Sequence, residues 1–137
     1  MIRVLCLAML LTGCKNEPKP TCLPYYWHRD LCSVDYRSYT EIMADGKAAL
    51  GKRAQLVCEH MGFTTNKRGD PMLTCWLPES SRKIFFYDSA TSDGVWSPDK
   101  KKFLLSLPKR ATIEVDFAIH ELFEDTFVGE VFTVKLK

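Results

Sequence analysis

The chain has 137 residues, 46% of them hydrophobic and 26% charged, with a net charge of +2. That is enough for one domain around one core. So even a charge balance offers no basic face for nucleic acid, and no apolar run reaches the roughly 20 residues that a membrane-spanning helix needs.

The first element is a short leader. Arg3 supplies a positive charge, Val4 to Leu11 is an apolar run, and Leu11-Thr12-Gly13-Cys14 follows. This arrangement resembles the signal peptide and lipobox of bacterial lipoproteins. The resemblance implies that residues 1–13 are a signal peptide cut before Cys14. It also implies lipid on the Cys14 sulfur and a fatty acyl group such as palmitate on its new amino group. Residues 14–21, with Pro18 and Pro20 among polar neighbours, read as the lipidated cysteine and a tether. Extended, seven residues of such a linker reach about 20 Å. In the sorting rule for enterobacterial lipoproteins, aspartate after the lipidated cysteine retains the protein in the inner membrane. Lys15 stands there, so the expected address is the outer membrane, facing the periplasm.

With Cys6 in the leader and Cys14 lipidated, Cys22, Cys32, Cys58 and Cys75 remain. An even number in an envelope compartment reads as two disulfides, and counting alone leaves three pairings. No tight Cys-x-x-Cys pair argues for zinc, and no metal site is expected. Residues 22–35 read as a disulfide-closed loop carrying Tyr25, Tyr26 and Trp27. These three aromatics either pack over the end of the core or form a partner-binding tip.

Residues 36–137 form the expected globular domain. Ser38 to Leu50 reads as a helix, with Ser38-x-x-Glu41 as a capping box, Gly51 as the stop and Gly46 as a weak middle. The period then becomes two. Arg53 to Phe63 is a strand with Ala54, Leu56, Cys58 and His60 on one face. Met72 to Leu77 is a second, with Leu73, Cys75 and Leu77 inward and Trp76 outward. Setting Cys58 opposite Cys75 also sets Met61 opposite Met72 and Phe63 opposite Asp70. This register assigns the bond Cys58–Cys75, and closure of the aromatic loop assigns Cys22–Cys32.

Lys83 to Asp88 is a short third strand whose faces, Ile84/Phe86 and Phe85/Tyr87, are both apolar, so periodicity does not orient it. Ser97-Pro98 opens a short helix with Phe103, Leu104 and Leu107 inward and Lys100 to Lys102 on the solvated side. Lys109 to Phe123 alternates Ile113, Val115, Phe117 and Ile119 with polar positions including Glu114 and Asp116, which read as solvated surface. Phe127 to Leu136 is its hairpin partner across Glu124-Asp125. The matches expected there are Phe117 with Phe132, Val115 with Val134 and Ile113 with Leu136.

A helix, three strands, a helix and two strands is the layout of a mainly β, five-stranded OB-type barrel, with a helix before it and a short helix between strands 3 and 4. Gly51-Lys52-Arg53-Ala54-Gln55-Leu56 entering the first strand, and the Lys109 to Lys137 hairpin, resemble OB-fold domains of the anticodon-binding-like families. The resemblance covers about the last hundred residues and implies fold more than function.

Chemistry is sparse. His120-Glu121-Leu122-Phe123-Glu124 starts like a zinc-protease motif but lacks the second histidine and lies on a strand. No nucleophile elbow, P-loop or dinucleotide fingerprint is present. His60 reads as a satisfied histidine at the barrel rim, and Arg68-Gly69-Asp70 as a turn. The outward aromatics Trp76, Phe85 and Tyr87 mark a candidate binding face. The expected function is a lipid-anchored envelope module that recognises a protein, peptide or glycan without catalysis or cofactor and without nucleic acid. Envelope assembly, exclusion or immunity, and inhibition are compatible roles; a small envelope hydrolase is the alternative.

Overall fold

The computed structural model describes residues 23–25, 29–88 and 96–137. The leader, Cys14, the tether, Cys22, Tyr26 and Trp27 lie outside the described residues, and so does the Cys22–Cys32 pairing. Within the aromatic loop, β1 (Leu23–Tyr25) pairs antiparallel with β2 (Arg29–Leu31), setting Leu23 opposite Leu31 and Tyr25 opposite Arg29.

The helix expected over Ser38 to Leu50 is shorter. α1 spans Tyr39–Asp45, and a 3-10 turn at Gly46–Ala49 follows. Ser38 Oγ accepts from Glu41 N at 3.2 Å, and Glu41 Oε1 accepts from Arg37 N at 3.0 Å, a reciprocal cap that fixes the start. Gly46 adopts φ 57°, a conformation that ends the α-helix, and its N–H donates to Ile42 O. α1 is held across the barrel end by Tyr39, whose ring packs on Phe127 and whose hydroxyl donates to Asp125 O at 2.6 Å.

The barrel has five strands: β3 (Arg53–Thr65), β4 (Pro71–Leu77), β5 (Arg82–Asp88), β6 (Thr112–Leu122) and β7 (Phe127–Leu136). Their order is β3-β4-β5-β7-β6, closed by antiparallel pairing of β6 with β3 and parallel pairing of β5 with β7. α2 (Pro98–Ser106) lies between the third and fourth barrel strands in sequence. This is the OB-type layout, with one helix before the barrel and one inside its connectivity. Long β3 serves both sides, pairing with β6 over residues 53–59 and with β4 over residues 59–65.

Alternation places the core as expected. Ala54, Leu56, Cys58 and His60 of β3, Leu73, Cys75 and Leu77 of β4, and Ile113, Val115, Phe117 and Ile119 of β6 are buried. The third strand is oriented with Ile84 and Phe86 inward. At the centre, Phe117 meets Phe86 edge-on at 4.8 Å and stacks on Phe127 at 5.7 Å.

Two registers differ from the sequence reading. Cys75 lies opposite His60 rather than Cys58, Met72 opposite Thr64 and Phe63 opposite Leu73. The difference starts at the turn, where the hairpin closes at Thr65–Pro71 rather than at Phe63–Asp70; a bulge between His60 and Phe63, where Gly62 sits at φ 98°, then takes back one residue of it. The Cys58–Cys75 disulfide forms nonetheless as a diagonal bridge, with Cα atoms 5.6 Å apart. In the second hairpin, Ile113–Leu136 and Val115–Val134 pair as expected, but a bulge at Asp116/Phe117 sets Phe117 opposite Val131 instead of Phe132. β6 begins at Thr112 rather than Lys109, because Arg110 takes φ 70° in the turn before it.

α2 is seated by a buried carboxylate. Asp88, with a fully buried side chain, accepts from Ser97 N at 2.7 Å and from Lys100 Nζ at 2.9 Å. Lys100 therefore belongs to the packed side of the helix, not to the solvated run in which the sequence placed it. Lys101 and Lys102 are exposed. Trp96, which periodicity did not single out, is buried, donates from Nε1 to Pro71 O at 3.1 Å and packs edge-on against Phe63.

Candidate functional site

The outward aromatics fall on one side of the β4–β5 sheet. Trp76 stands between Glu59 on β3 and Lys83 on β5; Phe85 stands between Thr74 and Val128. Trp76, Phe85 and Tyr87 are each half-buried, and the neighbouring Thr74 and Val128 are only 5% exposed. The Tyr87 hydroxyl accepts from Asn66 Nδ2 at 2.8 Å, and Asn66 Oδ1 in turn accepts from Arg68 N and Asp70 N. Tyr87 thus holds the turn containing Arg68-Gly69-Asp70. For Tyr25 only the backbone is described.

A separate concavity lies beside Trp76. A groove of about 540 Å³ opens between residues 37–40, the outward side of β3 at Gln55 and Val57, and the β4–β5 turn at residues 77–80, with Glu114 at its margin. Its polar rim is already organised. Arg37 Nη1 donates to Gln55 Oε1 at 2.6 Å, and Glu114 bridges Lys135 at 3.1 Å and Lys137 at 3.7 Å. The Lys135 ammonium holds the Glu114 carboxyl below its ordinary value, so this margin carries a carboxylate at neutral pH.

The backbone at the groove floor is the unusual feature. Odd-numbered residues of β3 aim their peptide groups away from β6. Arg53 O accepts from Asp35 N at 2.9 Å and Tyr36 N at 3.3 Å, and Gln55 N donates to Tyr36 O at 3.0 Å. Val57 points the same way by alternation. The parallel bridge of the 35–36 segment is made at Ala54, and the chain then turns off into α1. The β4 ladder starts only at Glu59–Trp76. Carried on by two residues, it would set Val57 against Pro78, which has no N–H to give. The Val57 carbonyl consequently has no ladder donor from β4, and the residue, facing the groove, is 42% exposed.

The other polar residues are structural. His60 is buried, its Nε2 lying 3.0 Å from Leu104 O while Nδ1 accepts from Gly62 N at 3.2 Å, which defines a neutral ring protonated on Nε2. Burial pushes its pKa down. This matches the rim histidine read from sequence. His120 lies at a β6 bulge, with Nδ1 3.4 Å from Glu130 Oε1, and that hydrogen bond raises its pKa. Asp116, read as solvated, is instead buried and paired with Arg53. Among the described residues no group of three His, Cys, Asp or Glu side chains is arranged to hold a metal ion.

No protein-family model matches the sequence, and no curated protein matches it. Solved structures do resemble its fold. An aspartyl-tRNA synthetase from Leishmania major Friedlin aligns with a TM-score of 0.50 at 6% identity, over 73% of this chain and 20% of that one. The asparaginyl-tRNA synthetase from Pyrococcus horikoshii gives 0.49 at 10% identity, over 76% and 23%. An OBody bound to hen egg-white lysozyme gives 0.44 at 10% identity, over 66% and 87%. The chain spans about a fifth of the length of the two synthetases, and at such identities the likeness concerns the fold alone.

Proposed function

We propose that this chain is a lipid-anchored binding module of the bacterial envelope that takes an extended peptide segment of a protein partner against Val57, without catalysis. The observation that carries this reading is the open edge of β3 in the groove. A peptide strand laid there gains backbone hydrogen bonds from Val57 and side-chain contact with the exposed valine, with Trp76 in the adjoining outward row. Arg37 and Glu79 on the two walls supply opposite charges for orienting the segment. The lipobox at Leu11-Thr12-Gly13-Cys14 supports anchoring through Cys14, and Lys15 supports the outer membrane, periplasmic side. Envelope assembly, exclusion and inhibition are all served by such a module.

The test is site-specific photocrosslinking in the native host. A crosslinker at Val57 should capture a defined protein that one at Leu50, exposed outside the groove lining, does not. Indistinguishable adducts from the two positions would overturn the peptide site. In parallel, Cys14→Ser should leave an uncleaved, unacylated precursor. A variant still processed and acylated would overturn the anchor.

A further inference from the structure

Charge is mixed at one end of the barrel and mainly basic at the other. Around α1, the β4–β5 turn and the β6–β7 turn, Glu41, Asp45, Glu79, Glu121, Glu124 and Asp125 lie among Arg37, Lys47, Lys52, Arg82 and Lys83. At the end carrying α2 and the last residues of β7, basic side chains dominate. Some are neutralised locally: Lys100 by Asp88, Arg110 by Glu59, and Lys135 and Lys137 by Glu114. Lys101, Lys102 and Lys109 are exposed, and no acidic partner is recorded for them among the described residues.

The same end holds two misplaced leucines. Leu105 is 62% exposed and Leu136 is 58% exposed, the two highest values among the exposed large hydrophobic residues. Leu105 stands one helical turn from Lys101, with Lys109 in the turn that follows the helix, and Leu136 is flanked in sequence by Lys135 and Lys137. α2 gives its other side to the core through Leu104, with Phe103 and Leu107 packed against it. Beyond Asp99 in its first turn, its outward side carries Leu105 beside ammonium groups that have no acidic partner among the described residues.

We infer that this end of the barrel docks on an anionic phospholipid surface, with Lys101, Lys102 and Lys109 at the headgroups and Leu105 and Leu136 entering the interface. Lysines draw a protein to a negatively charged leaflet, and an exposed aliphatic side chain among them is buried only if the surface has an apolar layer beneath its charges. A nucleic acid fits less well. Its phosphates would face the lysines but give the leucines nothing, and base stacking calls for exposed aromatics. Among the described residues the exposed aromatic side chain is Phe123, at the opposite end. Docked in this way, the barrel turns its other end, where Tyr39 meets Asp125, away from the membrane.

The test uses the full chain carrying Cys14→Ser, so that no acyl chain contributes, floated with vesicles of phosphatidylcholine alone or mixed with phosphatidylglycerol. The apolar segment 4–11 acts equally in every variant. The protein should prefer the anionic vesicles, with a preference that falls as salt rises. Lys101→Gln/Lys102→Gln/Lys109→Gln should weaken that binding about a hundredfold, and Leu105→Ser about tenfold. All four positions are exposed, and circular dichroism should report an unchanged fold. Equal binding to both vesicle types, or variants that bind like the parent, would overturn the inference. So would lysine-dependent binding to a single-stranded RNA oligonucleotide with none to vesicles. None of these results bears on acylation at Cys14 or on the Val57 groove.

Discussion

Arg53 and Asp116 form a bidentate ion pair on the outward side of the barrel wall, yet both are buried. Arg53 Nε donates to Asp116 Oδ1 at 2.9 Å and Nη2 donates to Oδ2 at 2.7 Å, while Gln55 Nε2 reaches the same carboxylate at 3.3 Å. Each residue is 6% exposed. The pair joins β3 to β6 where the 35–36 segment runs along β3. Tyr36 of that segment is itself fixed, its hydroxyl donating to Asp45 Oδ2 at 2.6 Å, a bond that pushes the phenol pKa up to about 12.

Removing one partner of such a pair leaves a charge in a place from which water is excluded. Asp116→Ala should destabilise the protein by about 3–5 kcal/mol in urea titrations. The double variant Arg53→Met/Asp116→Leu should recover most of that loss, since apolar replacement of a whole buried pair is often neutral or stabilising. A cost for Asp116→Ala within the range of an ordinary surface substitution would mean that the carboxylate is solvated after all.

The Cys58–Cys75 bridge closes a loop with a sequence separation of 17. Loops of that size contribute about 3 kcal/mol through the unfolded chain. The variant Cys58→Ala/Cys75→Ala should lose about that much, with an added contribution from the two buried side chains. Reduction of the wild-type protein should lower its denaturation midpoint in the same direction. A midpoint insensitive to reduction would show that the bond adds nothing.

Much of this fold is written in the sequence at short range. Alternation along Ile113 to Ile119 and Ala54 to His60 orients two strands without reference to any other part of the chain, and the Ser38–Glu41 cap is a four-residue signal. What is not legible depends on partners far away. Nothing local to Asp116 says that Arg53 will meet it, or that the 35–36 segment will run alongside. Bulges are equally hidden. Gly62 is visible, but its left-handed conformation is needed only once β4 is paired, and the one-residue shift there acts on a register already set by where the 66–70 turn closes. The groove depends on that register. Alternation marks Trp76 as outward, but the edge at Val57 requires Pro78 to fall where a donor is needed, which only the true register reveals.

The two described histidines with partners should pull stability in opposite directions with pH. His60 is held neutral by burial, with its pKa pushed below the ordinary 6.5. Below about pH 6.5 the unfolded chain takes up a proton that the folded chain refuses, so stability falls as the solution is acidified. His120 is the reverse. Its bond to Glu130 raises its pKa, so its contribution is present below about pH 6.5 and is lost as pH rises through the raised folded value. His60→Gln should therefore flatten the decline between about pH 7 and pH 5, and His120→Gln should steepen it. Imidazole NMR titrations should show the two rings on opposite sides of the ordinary value. The same sign of shift for both would contradict the arrangement.

Gly129 is the point where the barrel wall comes closest to its aromatic centre. A Cβ there would collide with Phe117 Cδ2 and lie 2.9 Å from Phe86 Cδ1. Neither ring can move freely, because Phe117 is packed against both Phe86 and Phe127, and all three are fully buried. The glycine is thus required by space. Gly129→Ala should cost about 1–3 kcal/mol by overpacking. Phe117→Ala alone should cost about 3–5 kcal/mol by leaving a cavity. The combination Gly129→Ala/Phe117→Leu should be less damaging than the sum of its single variants, since the smaller side chain at 117 removes the collision that the new methyl creates. Denaturant titrations of the wild type, Gly129→Ala, Phe117→Leu and their combination provide the double-mutant cycle, and strict additivity would show that the two positions do not compete for the same volume.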